Sequence, residues 1–312
     1  MREDVAEAAQ ILARWGVVAL PTETVYGLAA DASNEFAVKK IFDLKGRPSF
    51  NPLIVHVKDL ARAETIGEFS PLARRLASVF WPGPLTLVVP LQRGARICSL
   101  VTAGRDTIGL RAPQHPLMQM VLSLSGLALA APSANVSGSL SPTSAAHVQA
   151  SLKDVDLILD GGETLNGIES TIVQVSDDDK ALYILRPGPV TAEALEAASG
   201  LRVRLKTQDE AAPIAPGALL KHYSPKAAVR LEAAEVFEGE GLLGFGPEDE
   251  DRATAVFNLS PRGDLIEAAQ KLYAGLHWLD DQGVTAIAVR PIPQSGVGAA
   301  INDRLRRAAA DE

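Results

Sequence analysis

The stretch VVALPTETVYGL, residues 17–28, places an apolar run directly before a polar loop, and this order predicts the class of fold. Val17 to Leu20 has the length and composition of a short buried strand. Residues 21–27 then supply the hydroxyl groups of Thr24 and Tyr26. Because open α/β sheets bind ligands at the loops that follow their strands, we predict an α/β fold with a binding loop here. A turn whose hydroxyl groups only cap the backbone is the alternative interpretation.

Helix and strand signals alternate outward from this stretch through the first two-thirds of the chain. A capping residue such as Asn34, or a pair such as Ser70-Pro71, indicates where a helix begins. Apolar runs between the helices indicate strands. The predicted helices cover residues 3–15, about 35–45, 71 onward, about 116–125 and Ser141-Pro142 onward; the predicted strands cover 17–20, 53–57, 85–89, 107–110, 127–131, 157–159, 171–173 and 183–185. This alternation predicts an α/β fold class.

A proline-containing segment without clear periodicity, residues 206–227, divides the chain. We predict that it is a linker between a first domain at 1–205 and a second domain at 228–312. Because the segment is not rich in glycine and serine, we expect it to lie along the protein. The second domain is predicted to be a smaller α/β unit, with strands at about 228–232, 242–246, 253–259 and 284–289 and helices from Ser260-Pro261 to Asp281 and over 299–310.

The composition is that of a globular protein, with 47% hydrophobic and 22% charged residues among 312. The net charge of −8 argues against general binding of nucleic acids. The single cysteine, Cys98, excludes an intrachain disulfide and favours a cytoplasmic location. No run of 18 apolar residues occurs, so we predict no membrane span.

The charges are unevenly distributed along the first domain. Residues 39–111 contain 12 basic and 5 acidic residues, a net charge of +7, and residues 112–152 carry no formal charge. A cationic section beside a neutral section rich in hydroxyl groups favours a phosphorylated ligand such as ATP together with a small polar co-substrate.

Several common catalytic motifs are absent from the sequence. It contains no GxxxxGK[ST], HExxH, CxxC or GxSxG motif, and its five histidines are scattered, so we predict no tightly held metal and no covalent nucleophile. A GxGxxG pattern at 239–244 precedes a strand instead of opening a helix. It therefore lacks the context of a dinucleotide site.

A basic loop follows the second predicted helix. Lys45, Arg47 and Asn51 lie within it, and His56 follows on the next strand. Lysine binds phosphate as a point charge and arginine binds it as a fork, so the loop is a candidate phosphate site. Cations that favour the C-terminus of a helix, and a structural histidine, are the alternative interpretations.

Further polar positions follow other predicted strands. Thr107 and Arg111 share one face of their strand because side chains alternate along it. The loop 131–143 joins an apolar strand to a helix signal, and small hydroxyl residues there would let backbone amides approach an anion. Ser170 and Thr171 precede a buried strand, Arg186 ends one, and Tyr223 lies in the predicted linker, where a packing role is the alternative.

These motifs together resemble one enzyme family. The stretches that carry the resemblance are PTETVYGL (21–28), KGRPSFNPLIVHV (45–57), FWPGPLTLV (80–88), GLRAPQHP (109–116), APSANVSGSLSPT (131–143), DGG with GIESTIV (160–173) and LRPG (185–188). In this order they resemble the YrdC-like threonylcarbamoyl-AMP synthases over about residues 8–200. HYSP (222–225) and AINDRLRRAA (300–309) resemble the long form of the family, which has an extra C-terminal domain.

The resemblance implies a fold, a reaction and a set of partners. The fold would be a twisted mixed α/β sheet with a concave cavity, joined to a smaller Rossmann-like domain. The reaction would convert L-threonine, bicarbonate or CO2 and ATP, with Mg2+ bound to the ATP, into threonylcarbamoyl-AMP and diphosphate. The product would pass to the machinery that modifies adenosine 37 of tRNA to N6-threonylcarbamoyladenosine; direct binding of tRNA by this chain stays open.

The resemblance also assigns roles to single residues. Those that would contact threonine are Thr24, His56, Arg111, Ala131 and Ser170 or Thr171, with Arg111 paired to the carboxylate. Those that would hold ATP are Arg47, Asn51, Thr107, Ser133, Ser141, Arg186 and Tyr223. Lys45 would lie near the phosphates, and Lys45, Arg47 and Arg111 would be the catalytic cations. The linker 206–227 would lie over the active site and bring Tyr223 to the nucleotide.

Three other functions are consistent with parts of the sequence. The basic cavity could bind RNA without catalysis, although the chain is acidic and contains no recognised RNA module. A YrdC-like domain also occurs in carbamoyl transfer for hydrogenase maturation, but this chain lacks the zinc-finger and acylphosphatase parts of those proteins. Residues 228–312 could have a purely regulatory or scaffolding role.

Overall fold

The computed structural model describes residues 2–176, 178–206, 214–216, 222–248 and 252–310. Most of the predicted linker therefore lies outside the described residues. The helices are α1 (Arg2–Ala13), α2 (Glu35–Lys45), α3 (Leu60–Ala63), α4 (Pro71–Phe80), α5 (Ser99–Thr102), α6 (Pro116–Ser125), α7 (Ala145–Ser151), α8 (Ala192–Ser199), α9 (Leu265–Asp281) and α10 (Gly298–Ala308). The strands are β1 (Val18–Leu20), β2 (Gly27–Asp31), β3 (Ile54–His56), β4 (Leu85–Pro90), β5 (Thr107–Arg111), β6 (Leu129–Ala130), β7 (Leu157–Ile158), β8 (Thr171–Val175), β9 (Leu182–Arg186), β10 (Val203–Leu205), β11 (Ala228–Arg230), β12 (Gly241–Gly244), β13 (Ala255–Asn258) and β14 (Ala286–Val289).

The first ten strands form one mixed sheet in the order β10-β9-β8-β4-β5-β3-β6-β2-β1-β7. Strand β5 lies in its middle, antiparallel to β4 and parallel to β3. The apolar side chains of the strands pack against α2 and α4 on one face, and those of β1 and β2 pack against α1 and α6. The predicted α/β class with a mixed sheet is confirmed.

The last four strands form a separate parallel sheet in the order β11-β14-β12-β13. Helices α9 and α10 pack against it. One apolar core cluster joins this unit to the first, because Val25, Leu140 and Ile168 pack among side chains of α9 such as Leu272. The predicted second α/β unit is therefore present and packs directly on the first sheet's loops.

Local capping explains where several helices begin. Asn34 accepts a hydrogen bond from the Ala37 amide at the start of α2, and Ser70 does the same for Ala73 at the start of α4. Helix α2 ends at Gly46, whose φ of 58° is in the left-handed region that glycine adopts most easily. These boundaries agree with the sequence prediction.

Two predicted helix starts are wrong. The helix expected from Ser141-Pro142 begins at Ala145 behind Ser144, and the helix expected from Ser260-Pro261 begins at Leu265 behind Asp264. In both cases the predicted serine uses its hydroxyl group elsewhere: Ser141 donates to Glu169, and Ser260 donates to Glu267. Ser141 therefore uses its hydroxyl group in a contact with a distant segment, whereas Ser260 Oγ also accepts from the Asp264 amide just before the first turn of α9. None of the described helices combines the length and the apolar character that a membrane span needs.

Candidate active site

A small cavity lies where the loops of the first sheet face the second unit. Its volume is about 50 Å³, below the roughly 300–1,000 Å³ of a typical ligand site. Nine residues predicted from the sequence line it: Thr24, Arg47, His56, Arg111, Ala131, Ser133, Ser170, Arg186 and Tyr223. Sequence reasoning missed eight others: Thr22, Val25, Gly27, Ile54, Pro132, Glu169, Pro216 and His222. The cavity lining therefore comes from the first unit and from the described parts of the linker, and the second unit contacts it through Glu169.

Arg111 and His56 reach the cavity because β5 and β3 run parallel in register, with the two residues as Cα partners. Arg111 is buried, and it donates from Nη1 to the Thr24 hydroxyl at 2.9 Å and from Nε to the Gly83 carbonyl at 3.2 Å. Burial and the neighbouring Arg111 charge lower the pKa of His56 to about 3. The imidazole is therefore neutral at physiological pH, and its Nδ1 is buried with no hydrogen-bond partner among the residues that the structure describes.

Two more arginines add positive charge to the cavity lining. Arg47 donates to the carbonyl groups of Asn51 and Pro52, which fixes its guanidinium. Arg186 donates to the carbonyl and hydroxyl oxygens of Ser170. Burial lowers the pKa of Arg47 to about 10, with the Arg186 charge adding to the effect and Tyr223 opposing it. Both side chains remain cations at neutral pH, so the cavity favours an anion.

Lys45 lies behind the cavity wall and does not line it. Its ammonium group is buried and donates to the carbonyl oxygens of Ser133 and Asn135. The Ser137 amide in turn donates to the Lys45 carbonyl at 2.8 Å. Burial, and then the Arg47 charge, lower the pKa of Lys45. Through these three hydrogen bonds, Lys45 stabilises the loop 131–143.

Four other predicted residues also lie outside the cavity lining. Asn51 is buried, and its Oδ1 has no hydrogen-bond partner in the described part of the chain; Thr107 lies half-buried at the start of β5. The Thr171 hydroxyl donates to the Val190 carbonyl at 2.8 Å and accepts from the Val190 amide. Of the Ser170–Thr171 pair, only Ser170 faces the cavity. Ser141 does not line the cavity, but its hydroxyl group donates at 2.5 Å to Glu169, which does.

Glu169 connects the cavity to the second unit. Its carboxylate accepts from Arg304 Nε at 2.7 Å and from the Tyr273 hydroxyl at 3.1 Å, and both of these side chains come from the helices of that unit. Burial would raise the pKa of Glu169, but the charges of Arg304 and Arg186 outweigh it and lower the pKa to about 2. Arg304 also donates to the Pro187 carbonyl. Glu169 lies within the GIESTIV stretch, but nothing near it in the sequence indicates these partners.

The mixed α/β sheet and the arginine-lined cavity are typical of an enzyme domain for an anionic ligand, and a second α/β unit packs against this domain. A family model described as "Telomere recombination" matches residues 10–188, and one described as "Threonylcarbamoyl-AMP synthase, C-terminal domain" matches residues 190–310. The chain belongs to the Sua5–YciO–YrdC family and carries the C-terminal domain of its threonylcarbamoyl-AMP synthases.

Similar proteins match nearly the whole chain. The threonylcarbamoyl-AMP synthase of Bacillus subtilis is 41% identical, and the match covers 98% of this chain and 92% of that protein. That of Pyrococcus abyssi is 39% identical over 96% and 92% of the two chains. The crystal structure of P. abyssi Sua5 complexed with L-threonine superposes with a TM-score of 0.90 at 36% identity, covering 98% of this chain and 94% of that one. The resemblance found in the sequence motifs is thus confirmed.

The buried histidines predict a loss of stability in acid. The pKa of His222, like that of His56, is lowered to about 3, mainly by burial. An unfolded histidine takes up a proton below about pH 6.5. Between pH 6.5 and about 3, the unfolded chain therefore binds protons that the folded chain does not. We expect each of the two histidines to lower the free energy of unfolding by about 1.4 kcal/mol per pH unit over most of this window.

Urea unfolding at pH 7.5, 6.0 and 5.0 measures this effect. In a His56→Gln variant, the part of the pH dependence of the unfolding free energy that comes from the two histidines should fall by about half. Glu169 adds its own loss only below about pH 4.5, where the unfolded carboxyl group begins to take up a proton. Equal unfolding free energies at pH 7.5 and 5.0 would contradict the prediction.

Proposed function

We propose that this chain converts L-threonine, bicarbonate or CO2 and ATP into threonylcarbamoyl-AMP and diphosphate. The observation that carries the proposal is the full-length match to a synthase crystallised with L-threonine, in a chain that brings Thr24, His56 and Arg111 to one cavity. The product supplies the synthesis of N6-threonylcarbamoyladenosine at position 37 of tRNA. Three domain segments, 1–205, 206–227 and 228–312, carry the catalytic unit, the linker and the C-terminal unit.

The threonine end of the site is formed by β3, β5 and their neighbouring loops. Arg111 pairs with the substrate carboxylate, because it is the buried cation nearest to Thr24 and His56 and retains N–H groups that the protein contacts do not use. Neutral His56 and the Thr24 hydroxyl offer polar contacts for the rest of the amino acid. Ala131 and Ser170 complete the wall, and Thr171 fixes the backbone beside Ser170.

The ATP end is formed by the other two arginines. Arg47 and Arg186 face the phosphates, and Ser133 and Tyr223 lie on the same wall. Asn51 and Ser141 lie outside the lining and act through hydrogen bonds, Asn51 to Arg47 and Ser141 to Glu169. Thr107 extends the site at the start of β5. Lys45 supports the loop that carries Ser133. Because the cavity is smaller than ATP, His222 and Tyr223, which line it, have to shift for the nucleotide to enter.

The reaction needs orientation and charge neutralisation more than a protein nucleophile. The threonine amine adds to CO2, loses a proton and gives a carbamate. A carbamate oxygen then attacks the α-phosphorus of ATP, and the bond to the diphosphate leaving group breaks. Arg47 and Arg186 stabilise charge on the phosphates, while Arg111 holds the threonine carboxylate away from the reacting atoms. A mechanism by orientation and charge neutralisation needs no nucleophile–base pair, and the residues that line the cavity include none.

Mg2+ enters in this proposal as part of the ATP substrate. The described residues include no cluster of three or more histidine, cysteine or acidic side chains that could hold a metal. Glu169, the carboxylate in the cavity lining, is already paired with Arg304, Tyr273 and Ser141. The phosphates of ATP therefore supply the metal ligands. A cytoplasmic location and transfer of the product to the tRNA-modifying machinery complete the proposal.

Diphosphate release tests the function directly. The enzyme is incubated with ATP, bicarbonate and Mg2+ and with each amino acid in turn, and diphosphate is measured with time. We expect release with threonine and at most a small fraction of that rate with valine or serine, which lack the hydroxyl or the methyl group of threonine. Removing bicarbonate is the matched control. Salt-dependent tRNA binding without any threonine-dependent release would instead support the RNA-binding alternative.

A further inference from the structure

Arg111 has a buried acidic partner that does not line the cavity. Glu23 Oε1 accepts from Arg111 Nη2 at 2.8 Å, and both side chains are at most 4% exposed. The other carboxylate oxygen of Glu23 accepts from the Gln114 amide at 3.0 Å. Glu23 thus joins the loop after β1, to which it belongs, to the segment after β5.

The contacts of Arg111 divide its five N–H groups into two sets. Nε donates to the Gly83 carbonyl, one N–H of Nη1 donates to Thr24, and one N–H of Nη2 donates to Glu23. Among the described residues, the second N–H of each terminal nitrogen has no partner. One N–H from each terminal nitrogen is the pair with which the end of a guanidinium binds a carboxylate through two parallel hydrogen bonds. Because a planar guanidinium has a fixed fork geometry, the partner on Nη2 decides where that pair points.

The backbone around Glu23 holds its carboxylate in place. The Glu23 carbonyl accepts from the Asn166 amide at 2.7 Å, so the loop is tied to the segment that leads to Glu169 and Ser170. The Thr22 hydroxyl donates to the Val25 carbonyl at 2.7 Å and closes the same loop from within. Both oxygen atoms of the Glu23 carboxylate and the backbone of its loop are held by hydrogen bonds. The carboxylate can therefore keep the guanidinium in one orientation before substrate arrives.

We propose that Glu23 is a positioning residue for threonine recognition, which orients the Arg111 guanidinium so that its two remaining N–H groups meet the substrate carboxylate. This inference rests on the proposed function and on the role of Arg111 within it. Preorganisation of this kind lowers the cost of binding, since the side chain does not have to be ordered when the ligand arrives. Among the described residues, the hydrogen bonds of Glu23 are with Arg111, Gln114 and Asn166 and involve neither Arg47 nor Arg186, so we expect its effect to be confined to threonine.

The test is the variant Glu23→Gln, which keeps the shape of the side chain and removes its charge. We expect the KM for threonine to increase about tenfold, with kcat and the KM for ATP changing by less than about twofold. Glu163→Gln, at an exposed position outside the cavity lining, is the matched control and should leave all three values unchanged. Thermal unfolding of each variant shows whether the fold is kept.

A second variant keeps the inference testable if Glu23→Gln does not fold. Glu23→Asp retains the charge but shortens the side chain by one methylene group, so it cannot keep both the Gln114 and the Arg111 contacts. It should fold and again raise the KM for threonine alone. An unchanged threonine KM in a folded variant, or an equal increase for ATP, would overturn the role of Glu23. Failure of the wild-type enzyme to release diphosphate with threonine would instead overturn the proposed function.

Discussion

Replacing Arg111 with alanine is expected to raise the KM for threonine by about 100-fold, with a much smaller change in the KM for ATP. Removing one partner of a buried, hydrogen-bonded charge pair costs roughly 2–5 kcal/mol, and each 1.4 kcal/mol corresponds to about tenfold in affinity. Arg111 faces the cavity beside Thr24 and His56. Arg47 and Arg186 are the other arginines that line it, and we propose that these two hold ATP. Threonine-dependent diphosphate release at varied threonine and at varied ATP separates the two effects.

Two further variants identify the cause of any loss. Alanine at position 111 leaves the buried Glu23 carboxylate without its cation, which by itself destabilises the fold. The double variant Glu23→Gln with Arg111→Ala removes that charge, so it should recover stability and still bind threonine poorly. Arg96→Ala, an exposed arginine of the same basic section, should behave as the wild type. Recovery of threonine binding in the double variant would show that Arg111 does not hold the carboxylate.

The part of the site that local patterns predicted comes from strands and the loops that follow them. Alternation along a strand was enough to place Arg111 on a polar face, and the order of apolar and polar runs indicated the loops with Thr24 and Ser133. Parallel pairing of β3 and β5 then brings His56 beside Arg111. Strand alternation and the order of apolar and polar runs depend only on residues that are close in the chain. They can therefore be read from a single sequence.

What could not be predicted depends on contacts between distant segments. The place of Lys45 near the phosphates stays a prediction; in the structure its ammonium group donates to the carbonyl oxygens of Ser133 and Asn135, a contact that no local pattern indicates. Ser141 looked like a helix cap because the local pattern does not show that Glu169, 28 residues later, takes its hydroxyl group. The second unit contributes Arg304 across 135 residues of chain. No periodicity or motif encodes pairs of this kind.

Replacing Arg304 with methionine is expected to lower the free energy of unfolding by about 3–5 kcal/mol, the usual cost of leaving one member of a buried ion pair without its partner. Arg304 is fully buried and pairs with both Glu169 and Asp303. Methionine fills much of the same volume but leaves Glu169 unneutralised, so the pKa of that carboxyl group should rise. Urea unfolding at pH 7.5 measures the loss, and Arg306→Met, an exposed position on the same helix, is the control.

The Arg304 variant also bears on what the second unit contributes to catalysis. Glu169 lines the cavity, and Arg186 lies close enough for its charge to lower the pKa of the same carboxyl group. Without Arg304, Glu169 should compete for Arg186, which reduces the positive charge available to the phosphates. We therefore expect a folded Arg304→Met enzyme to show a raised KM for ATP, with a smaller change for threonine. A variant that loses stability but keeps both KM values would mean that residues 228–312 act only as a scaffold.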